Sequence, residues 1–168
     1  MNTVYAALDD RVLVGDGDGD WDDCLLGHDI ECVAAGAAEP GRAFVGTADA
    51  GLQRTTDGGA TWEQVLAAGD RVTSVTVSPH DPDVIWAGTE PSAVYQSSDG
   101  GETWTERSGL TELDSASRWS FPPRPHTHHV RWIALAPDDP EQVYVAIEAG
   151  AFVRSPDGGG TWVDHPDG

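Results

Sequence analysis

The architecture of this chain follows from eight residues, Ser97-Ser98-Asp99-Gly100-Gly101-Glu102-Thr103-Trp104. Two other stretches of the 168-residue sequence repeat the pattern almost unchanged, at 55–62 and 155–162. A degenerate copy at 14–21 keeps the aspartate and the tryptophan. The four aspartates are spaced by 41, 42 and 58 residues, and such a period predicts an array of similar structural units.

The motif predicts a tight turn and not a catalytic group. Its aspartate can accept hydrogen bonds from backbone amides two and three residues on, and its serine or threonine adds a hydroxyl. Its paired glycines can take positive φ angles, and its tryptophan begins a strand and buries its ring against the neighbouring unit. We therefore assign a structural role to four pairs of residues: Asp16 and Trp21, Asp57 and Trp62, Asp99 and Trp104, and Asp157 and Trp162.

The residues between the turns have the composition of short β-strands. They are β-branched, aromatic or alternating, and Pro, Gly, Asp and Ser bound them. Four strands per repeat predict an all-β fold, namely a β-propeller of four-stranded antiparallel blades. A single domain, 1–168, would contain a partial blade at 3–26, full blades at 29–67, 70–109 and 128–165, and an inserted loop at 111–129.

About 3¾ blades do not form an ordinary closed ring. Three explanations stay open: a small four-bladed ring with one incomplete blade, a half-ring that associates with itself, or part of a longer product. An arc would leave apolar blade faces and strand edges exposed. We therefore expect self-association, or missing blades, to complete the ring.

Charge limits the partners of the chain. Asp and Glu number 29 against nine basic residues, all of them arginine, and the net charge is −20. Such a charge predicts that the protein binds neither nucleic acid nor an anionic membrane surface. With no apolar run of membrane-spanning length and no signal peptide, we expect a cytoplasmic protein. Because lysine is absent, the composition resembles proteins of extreme halophiles, haloarchaea among them, and predicts a high-salt cytoplasm.

The two cysteines, Cys24 and Cys32, match no zinc-binding spacing. We predict two reduced structural thiols, with a disulfide between neighbouring strands as the alternative.

At its turns the chain resembles the Asp-box, or bacterial-neuraminidase-repeat (BNR), β-propeller family, whose motif is S/T-x-D-x-G-x-T-W. Three of the four copies match this motif. The family includes sialidases, xyloglucan-cleaving hydrolases, sortilin-type receptors, photosystem II assembly factors and glycosyl-hydrolase-like repeat proteins. The resemblance implies the propeller fold, with the motif at the hairpin of the third and fourth strands, away from any active site. It leaves the function open.

The opposite face is the better candidate for a functional site, because the one long insertion lies there. Trp62 precedes Val72 by 10 residues, whereas the equivalent Trp104 precedes Val130 by 26. A long loop in a compact repeat is commonly functional. The same face contains two glutamates at equivalent repeat positions. The candidate ligand-binding residues are Trp119, Arg124, His126, His128, His129, Arg131, Glu90 and Glu148.

Three interpretations of this cluster stay open. His126 and His128 with a glutamate could bind a divalent cation, although no other cofactor is expected. Arg124, Arg131 and Trp119 could hold an anionic or sugar group. Alternatively the cluster is structural, with its prolines and aromatic residues filling the channel and Arg131 paired to Glu148.

Enzyme activity has less support in the sequence. Glu90 and Glu148 could be the two carboxylates of a glycosidase, but they occupy equivalent repeat positions, as structural residues would. We find neither the arginine and tyrosine set of a sialidase nor the aspartate pair of the xyloglucan hydrolases. We therefore predict a non-catalytic binding or assembly module for a protein or carbohydrate ligand. The alternatives are a glycoside hydrolase and a truncated propeller fragment without activity of its own.

Overall fold

The computed structural model describes residues 3–67, 71–124 and 126–164. Within these residues, fifteen strands form four antiparallel sheets, which we call blades 1 to 4. Blade 1 contains β1 (Val4–Leu8), β2 (Arg11–Gly15) and β3 (Trp21–Cys24). Blade 2 contains β4 (Ile30–Ala35), β5 (Ala43–Thr47), β6 (Leu52–Thr55) and β7 (Glu63–Leu66).

Blade 3 contains β8 (Arg71–Val77), β9 (Ile85–Glu90), β10 (Val94–Ser97) and β11 (Thr105–Glu106). Blade 4 contains β12 (Val130–Leu135), β13 (Val143–Ile147), β14 (Phe152–Ser155) and β15 (Val163–Asp164). Two short 3₁₀ helices, Leu110–Glu112 and Asp114–Arg118, lie in the insertion between blades 3 and 4. Neither of these, nor any other helix in the described residues, could span a membrane.

Each blade is a meander in which consecutive strands pair. The first strands of blades 2, 3 and 4 lie side by side, and β1 of blade 1 continues this inner row. The all-β fold and the open propeller arc predicted from the repeat are therefore confirmed. The predicted blade ends at 70 and 165 lie outside the described residues.

The hydrophobic core consists of three clusters, one at each junction between successive blades. Val12 and Val14 of blade 1 pack with Val45 of blade 2. Blades 2 and 3 share a cluster around Phe44, and blades 3 and 4 share one around Trp86. The arc is stabilised because each blade covers one apolar face of the next.

The three complete turns have the same hydrogen bonds, and Asp99 illustrates them. Its carboxylate accepts from the backbone amide of Thr103 at 2.9 Å and from the Thr103 hydroxyl at 2.5 Å. The Ser97 hydroxyl donates to Asp99 at 2.7 Å and accepts from the amide of Gly101 at 2.9 Å. The hydrogen bonds from Thr103 lower the pKa of Asp99 to about 2. The aspartate therefore binds mainly the residue four positions on. The backbone amide of Glu102, three positions on as the sequence suggested, makes a smaller contribution to its lowered pKa.

The degenerate turn is built differently. Asp16 accepts from the backbone amide of Asp18 at 2.9 Å, two residues on. β2 and β3 are paired up to Gly15 and Trp21, so the hairpin is tighter than in the other blades. Trp21 is 40% exposed, because it lies on the side of blade 1 that faces away from blade 2.

Cys24 and Cys32 are free thiols in this structure, as the sequence predicted. Burial raises the pKa of the Cys32 thiol to about 12. Such a thiol stays protonated at neutral pH and is a poor nucleophile.

The two glycines of one turn test how tightly the blades are packed. Gly58 and Gly59 have φ angles of 77° and 94°, so alanine is strained at both positions. A Cβ on Gly58 meets no atom within 4 Å, whereas one on Gly59 would lie 2.9 Å from Val14 of blade 1. We expect Gly58→Ala to destabilise the fold by about 1 kcal/mol and Gly59→Ala by about 2 kcal/mol, in urea unfolding. Equal losses would contradict close packing at this junction.

Candidate functional site

The candidate site lies where the second strand of a blade ends and the inserted loop returns. Glu90 is the last residue of β9, and Glu148 follows β13 at the equivalent position. Because successive hairpins of a meander alternate between its two ends, these residues lie opposite the Asp99 and Asp157 turns. The loop from blade 3 crosses this same end before it enters β12.

Glu90 is at the centre of the charged groups. Its side chain is only 6% exposed, and Arg124 of the insertion donates to both of its carboxylate oxygens, at 2.7 and 2.6 Å. Arg71 Nε and His129 Nδ1 lie 3.8 and 3.9 Å from the same carboxylate. The hydrogen bonds from Arg124 hold the pKa of Glu90 below its usual range. The insertion is therefore attached to blade 3 by a charged, two-pronged hydrogen bond.

A second group of charges surrounds Glu148. His129 Nε2 lies 3.0 Å from its carboxylate, and Arg131 Nε lies 3.3 Å away. The Arg131 side chain is 63% exposed, whereas His129 is 7% exposed. This pairing of Arg131 with Glu148 is the contact that the structural interpretation predicted.

Sequence reasoning missed two residues of the site, Arg71 and Glu31. Arg71 starts β8, and its guanidinium forms an ion pair with Glu31 of β4. The repeat contains the signal that could have found them. Glu31 stands 26 residues before the turn aspartate of its own blade, which is also the position of Thr73 and Arg131. Arg71 stands 28 residues before Asp99, and His129 stands 28 residues before Asp157.

These groups line a cavity of about 400 Å³. Three of the nine arginines of the chain are in its wall, together with three glutamates, so the cavity is nearly neutral in a protein of net charge −20. The lining residues are Glu31, Arg71, Thr73, Glu90, Phe121, Arg124, His129, Arg131 and Glu148. Five of the eight residues predicted to bind a ligand therefore lie together: Glu90, Arg124, His129, Arg131 and Glu148.

The cavity continues into a groove of about 420 Å³ along the innermost strands. Glu31, Thr73 and Arg131 line both spaces. Ala7, Val33 and Trp132 make the walls of the groove more apolar than those of the cavity. The Trp132 side chain is 66% exposed.

Two buried nitrogens in the cavity make no hydrogen bond within the described part of the chain. They are Arg71 Nε and His129 Nδ1, and both are turned toward Glu90 at 3.8 to 3.9 Å. A buried polar atom without a partner is costly and commonly marks a site that a ligand or water completes.

Three predicted residues lie away from the cavity. Trp119 packs in the cluster between blades 3 and 4 and donates from Nε1 to Ser115 Oγ at 3.1 Å. The His128 ring lies edge-on to Trp119 at 5.5 Å, and burial lowers the pKa of His128. His126 is exposed. Trp119 is therefore a core residue of the insertion, and it cannot stack on a sugar.

The described residues do not form a recognisable site for a divalent cation. Among residues 3–67, 71–124 and 126–164, no group of three or more His, Cys, Asp or Glu side chains is arranged to hold a metal ion. His126 and His128 are not part of a ligand set.

Solved structures similar to this chain are β-propellers. An ancestral GH74 enzyme matches with a TM-score of 0.75 and 22% identity, over 99% of this chain and 23% of that one. The GH74 xyloglucanase from Xanthomonas campestris matches with a TM-score of 0.73 and 18% identity, over 99% of this chain and 29% of that one. YCF48 bound to a D1 peptide matches with a TM-score of 0.60 and 23% identity, over 82% of this chain and 39% of that one.

No protein-family model and no curated protein sequence matches the chain. The chain spans less than two fifths of the length of each of these three structures. At such identities the likeness concerns the fold and not the chemistry. The chain is an all-β protein that adopts the fold of a β-propeller as an open arc.

Proposed function

We propose that this chain is a non-catalytic binding module that takes a short extended segment of a partner protein. The segment lies in the groove along the innermost strands, and a polar group of the segment enters the cavity beside it. The observation that supports this most directly is the pair of buried nitrogens, Arg71 Nε and His129 Nδ1, without hydrogen-bond partners.

The chemistry of the cavity favours a polar group with both donors and acceptors. Its three arginines are matched by three glutamates, so it has little net preference for an anion or a cation. Peptide amides and sugar hydroxyls both fit this description. The groove favours a peptide, because it is long, partly apolar and lined by strands, and it contains the exposed ring of Trp132. The peptide bound by the similar YCF48 propeller is consistent with this choice.

A glycoside hydrolase is the second candidate, since Glu90 and Glu148 line one cavity and GH74 enzymes share the fold. A glycosidase needs one carboxylic acid that stays protonated near neutral pH, and this requires a raised pKa. The hydrogen bonds from Arg124 lower the pKa of Glu90. Glu90 is therefore unsuited to be that acid. As the nucleophile or base it would have to give up the two hydrogen bonds from Arg124, so the binding function is the better proposal.

We also infer that the turns are Asp-box turns of the BNR type, because serine or threonine, aspartate and threonine form one hydrogen-bonded unit in all three complete copies. The acidic surface without lysine supports a halophilic, haloarchaeal-type source and a high-salt cytoplasm. In that setting, multimolar salt reduces the self-repulsion of a net charge of −20.

The proposal predicts that Arg131 contributes to binding. A displayed library of random peptides would be selected on the full chain in multimolar KCl, and an enriched peptide measured by fluorescence anisotropy. We expect Arg131→Ala to raise the Kd about 10-fold, because one charged hydrogen bond is lost. The matched control is Arg118→Ala, which removes an exposed arginine of the insertion outside the cavity and should leave the Kd unchanged.

Four outcomes would contradict the proposal. A library without enrichment, or an enriched peptide that binds Arg131→Ala as well as the wild type, would exclude a peptide site in this cavity. Binding of xyloglucan oligosaccharides in place of peptide would identify a carbohydrate ligand. Turnover of chromogenic glycosides that is lost in Glu148→Gln would identify a hydrolase.

A further inference from the structure

Successive blades meet through one recurring contact. At each junction an apolar side chain of one blade lies on the second glycine of the next blade's turn. A Cβ added to that glycine would lie 2.9 Å from Val14 at Gly59, 2.8 Å from Phe44 at Gly101 and 3.0 Å from Trp86 at Gly159. No side chain larger than glycine fits there, so the glycine turn is the surface that receives the preceding blade.

A polar contact accompanies the apolar one at the junction of blades 2 and 3. Arg54 is the cross-strand partner of Phe44 on the same face of blade 2. It donates to the carbonyl of Gly100 at 2.8 Å and to the carboxylate of Glu102 at 2.7 Å, both in the turn of blade 3. At this junction blade 2 therefore presents an aromatic and a basic residue to a turn that contains Glu102.

Blade 4 presents the same pair on a face that no described residue covers. Tyr144 and Arg154 are cross-strand partners and stand at the repeat positions of Phe44 and Arg54. Tyr144 stacks on Phe152 at 5.8 Å with an angle of 10° between the rings, and Arg154 is exposed. Trp132 and Val163 extend this outer face, with exposures of 66% and 40%.

The other end of the arc presents the complementary surface. In blades 2, 3 and 4 the tryptophan of the turn packs into the cluster shared with the preceding blade. Its counterpart Trp21 lies instead across Gly15 on the outer face of blade 1, in line with Val4. The adjoining turn contains Asp16, Asp18 and Asp20, all exposed. Blade 1 thus has an aromatic residue and an acidic turn on the side that would receive a preceding blade.

From these two faces we propose that a second copy of this chain covers both ends, head to tail. Arg154 of one copy contacts the acidic turn of the other, as Arg54 contacts the turn of blade 3. Tyr144 packs on Trp21 and not on the turn itself, because Asp18 stands where the other turns have the glycine that receives the ring. Two identical junctions relate the copies by a twofold axis and close a ring of eight blades, within the usual range of roughly four to eight. The opposite charges of Arg154 and the aspartates select this orientation, because two like ends would not pair.

Sedimentation of the full 168-residue chain in multimolar KCl tests this. We expect a species of twice the 17.8 kDa chain mass that dissociates on dilution. Arg154→Glu places a carboxylate against the aspartates, and we expect it to raise the dimer dissociation constant about 100-fold. Arg118→Glu has the same change of charge on an exposed site outside both faces and should leave the constant unchanged.

A rescue variant distinguishes the loss of the contact between Arg154 and the aspartates from the loss of folded structure. Asp18→Arg combined with Asp20→Arg should restore the dimer in the Arg154→Glu background, and circular dichroism should show β-structure in every variant. A chain that stays monomeric at all concentrations, or that forms open polymers, overturns the closed dimer. An unchanged dissociation constant in Arg154→Glu, or a failed rescue, overturns the pairing of Arg154 with the turn. Trp132 lies on both surfaces, but Arg154, Asp18 and Asp20 line neither the groove nor the cavity, so a failure of these variants is distinguishable from a failure of peptide binding.

Discussion

Replacement of Arg124 by alanine is expected to lower the free energy of unfolding at neutral pH, because it leaves the Glu90 carboxylate without its two closest hydrogen bonds. Arg124 donates two hydrogen bonds to Glu90, which is only 6% exposed. Without Arg124, the nearest basic side chains to Glu90 are Arg71 and His129, at 3.8 and 3.9 Å, outside hydrogen-bond distance. The cost arises because a buried carboxylate would lose its main partner.

The loss of stability in Arg124→Ala should be largest at neutral pH and should decrease as the pH falls. Arg124 lowers the pKa of Glu90 in the folded protein, so this pair contributes stability above the pKa of the unfolded carboxyl, about 4.3. The contribution disappears as pH falls through the lower pKa of the folded state. In Arg124→Ala the buried Glu90 can take up a proton instead. The difference between wild type and variant should therefore shrink below about pH 4.

Urea unfolding at constant KCl between pH 7 and pH 3 measures this difference. Arg118→Ala is the matched control, because it removes an exposed arginine from the same insertion and should cost little at any pH. Glu90→Gln in the Arg124→Ala background should recover part of the loss, since it removes the unpaired charge. A loss of stability that is constant with pH would show that Arg124 acts through the contact of its guanidinium with the Phe121 ring.

Repetition in the sequence explains why most of the fold was predictable. The turn geometry is local: the paired glycines have positive φ, and the aspartate, serine and threonine bind one another within eight residues. Glu90 and Glu148 lie on the face opposite the glycine turns because successive hairpins of a meander alternate between its two ends. Composition alone could not reveal that the degenerate turn is tighter, because this depends on the pairing of Gly15 with Trp21.

The site was only partly predictable, and the errors have a physical cause. The position of Trp119 in a long polar loop predicts a role in ligand binding. The insertion instead forms a small core of its own, in which Trp119 and Leu110 join the cluster of blades 3 and 4. Conversely, Arg71 and Glu31 lie on inner strands of different blades, and they meet only because β4 and β8 are neighbours.

The largest loss of stability is expected for Trp86→Ala, about 4 kcal/mol, because Trp86 is fully buried at the junction of blades 3 and 4. Its ring covers the backbone of Gly159 and packs among aliphatic residues of blade 4. Removal would leave a cavity in the apolar cluster that these two sheets share. Trp86→Phe keeps an aromatic ring at the junction and should cost about half as much. Urea unfolding at constant KCl measures both, and a small loss in Trp86→Ala would mean that the blades separate easily.

The contact with Gly159 allows a stricter test, by a double-mutant cycle. In the wild type an alanine methyl at position 159 would lie 3.0 Å from Trp86 and 2.9 Å from Arg107, and φ is 86°. Gly159→Ala alone therefore has both backbone strain and a collision with the indole. In the Trp86→Ala background the indole is absent, and the alanine methyl at position 159 fills part of the cavity. Gly159→Ala should therefore lower the free energy of unfolding by at least about 1 kcal/mol less in this background than in the wild type. Additive losses would show that Trp86 and Gly159 are not in contact. A favourable coupling would establish that an aromatic residue on a glycine turn holds these two blades together, as Phe44 on Gly101 does at the preceding junction.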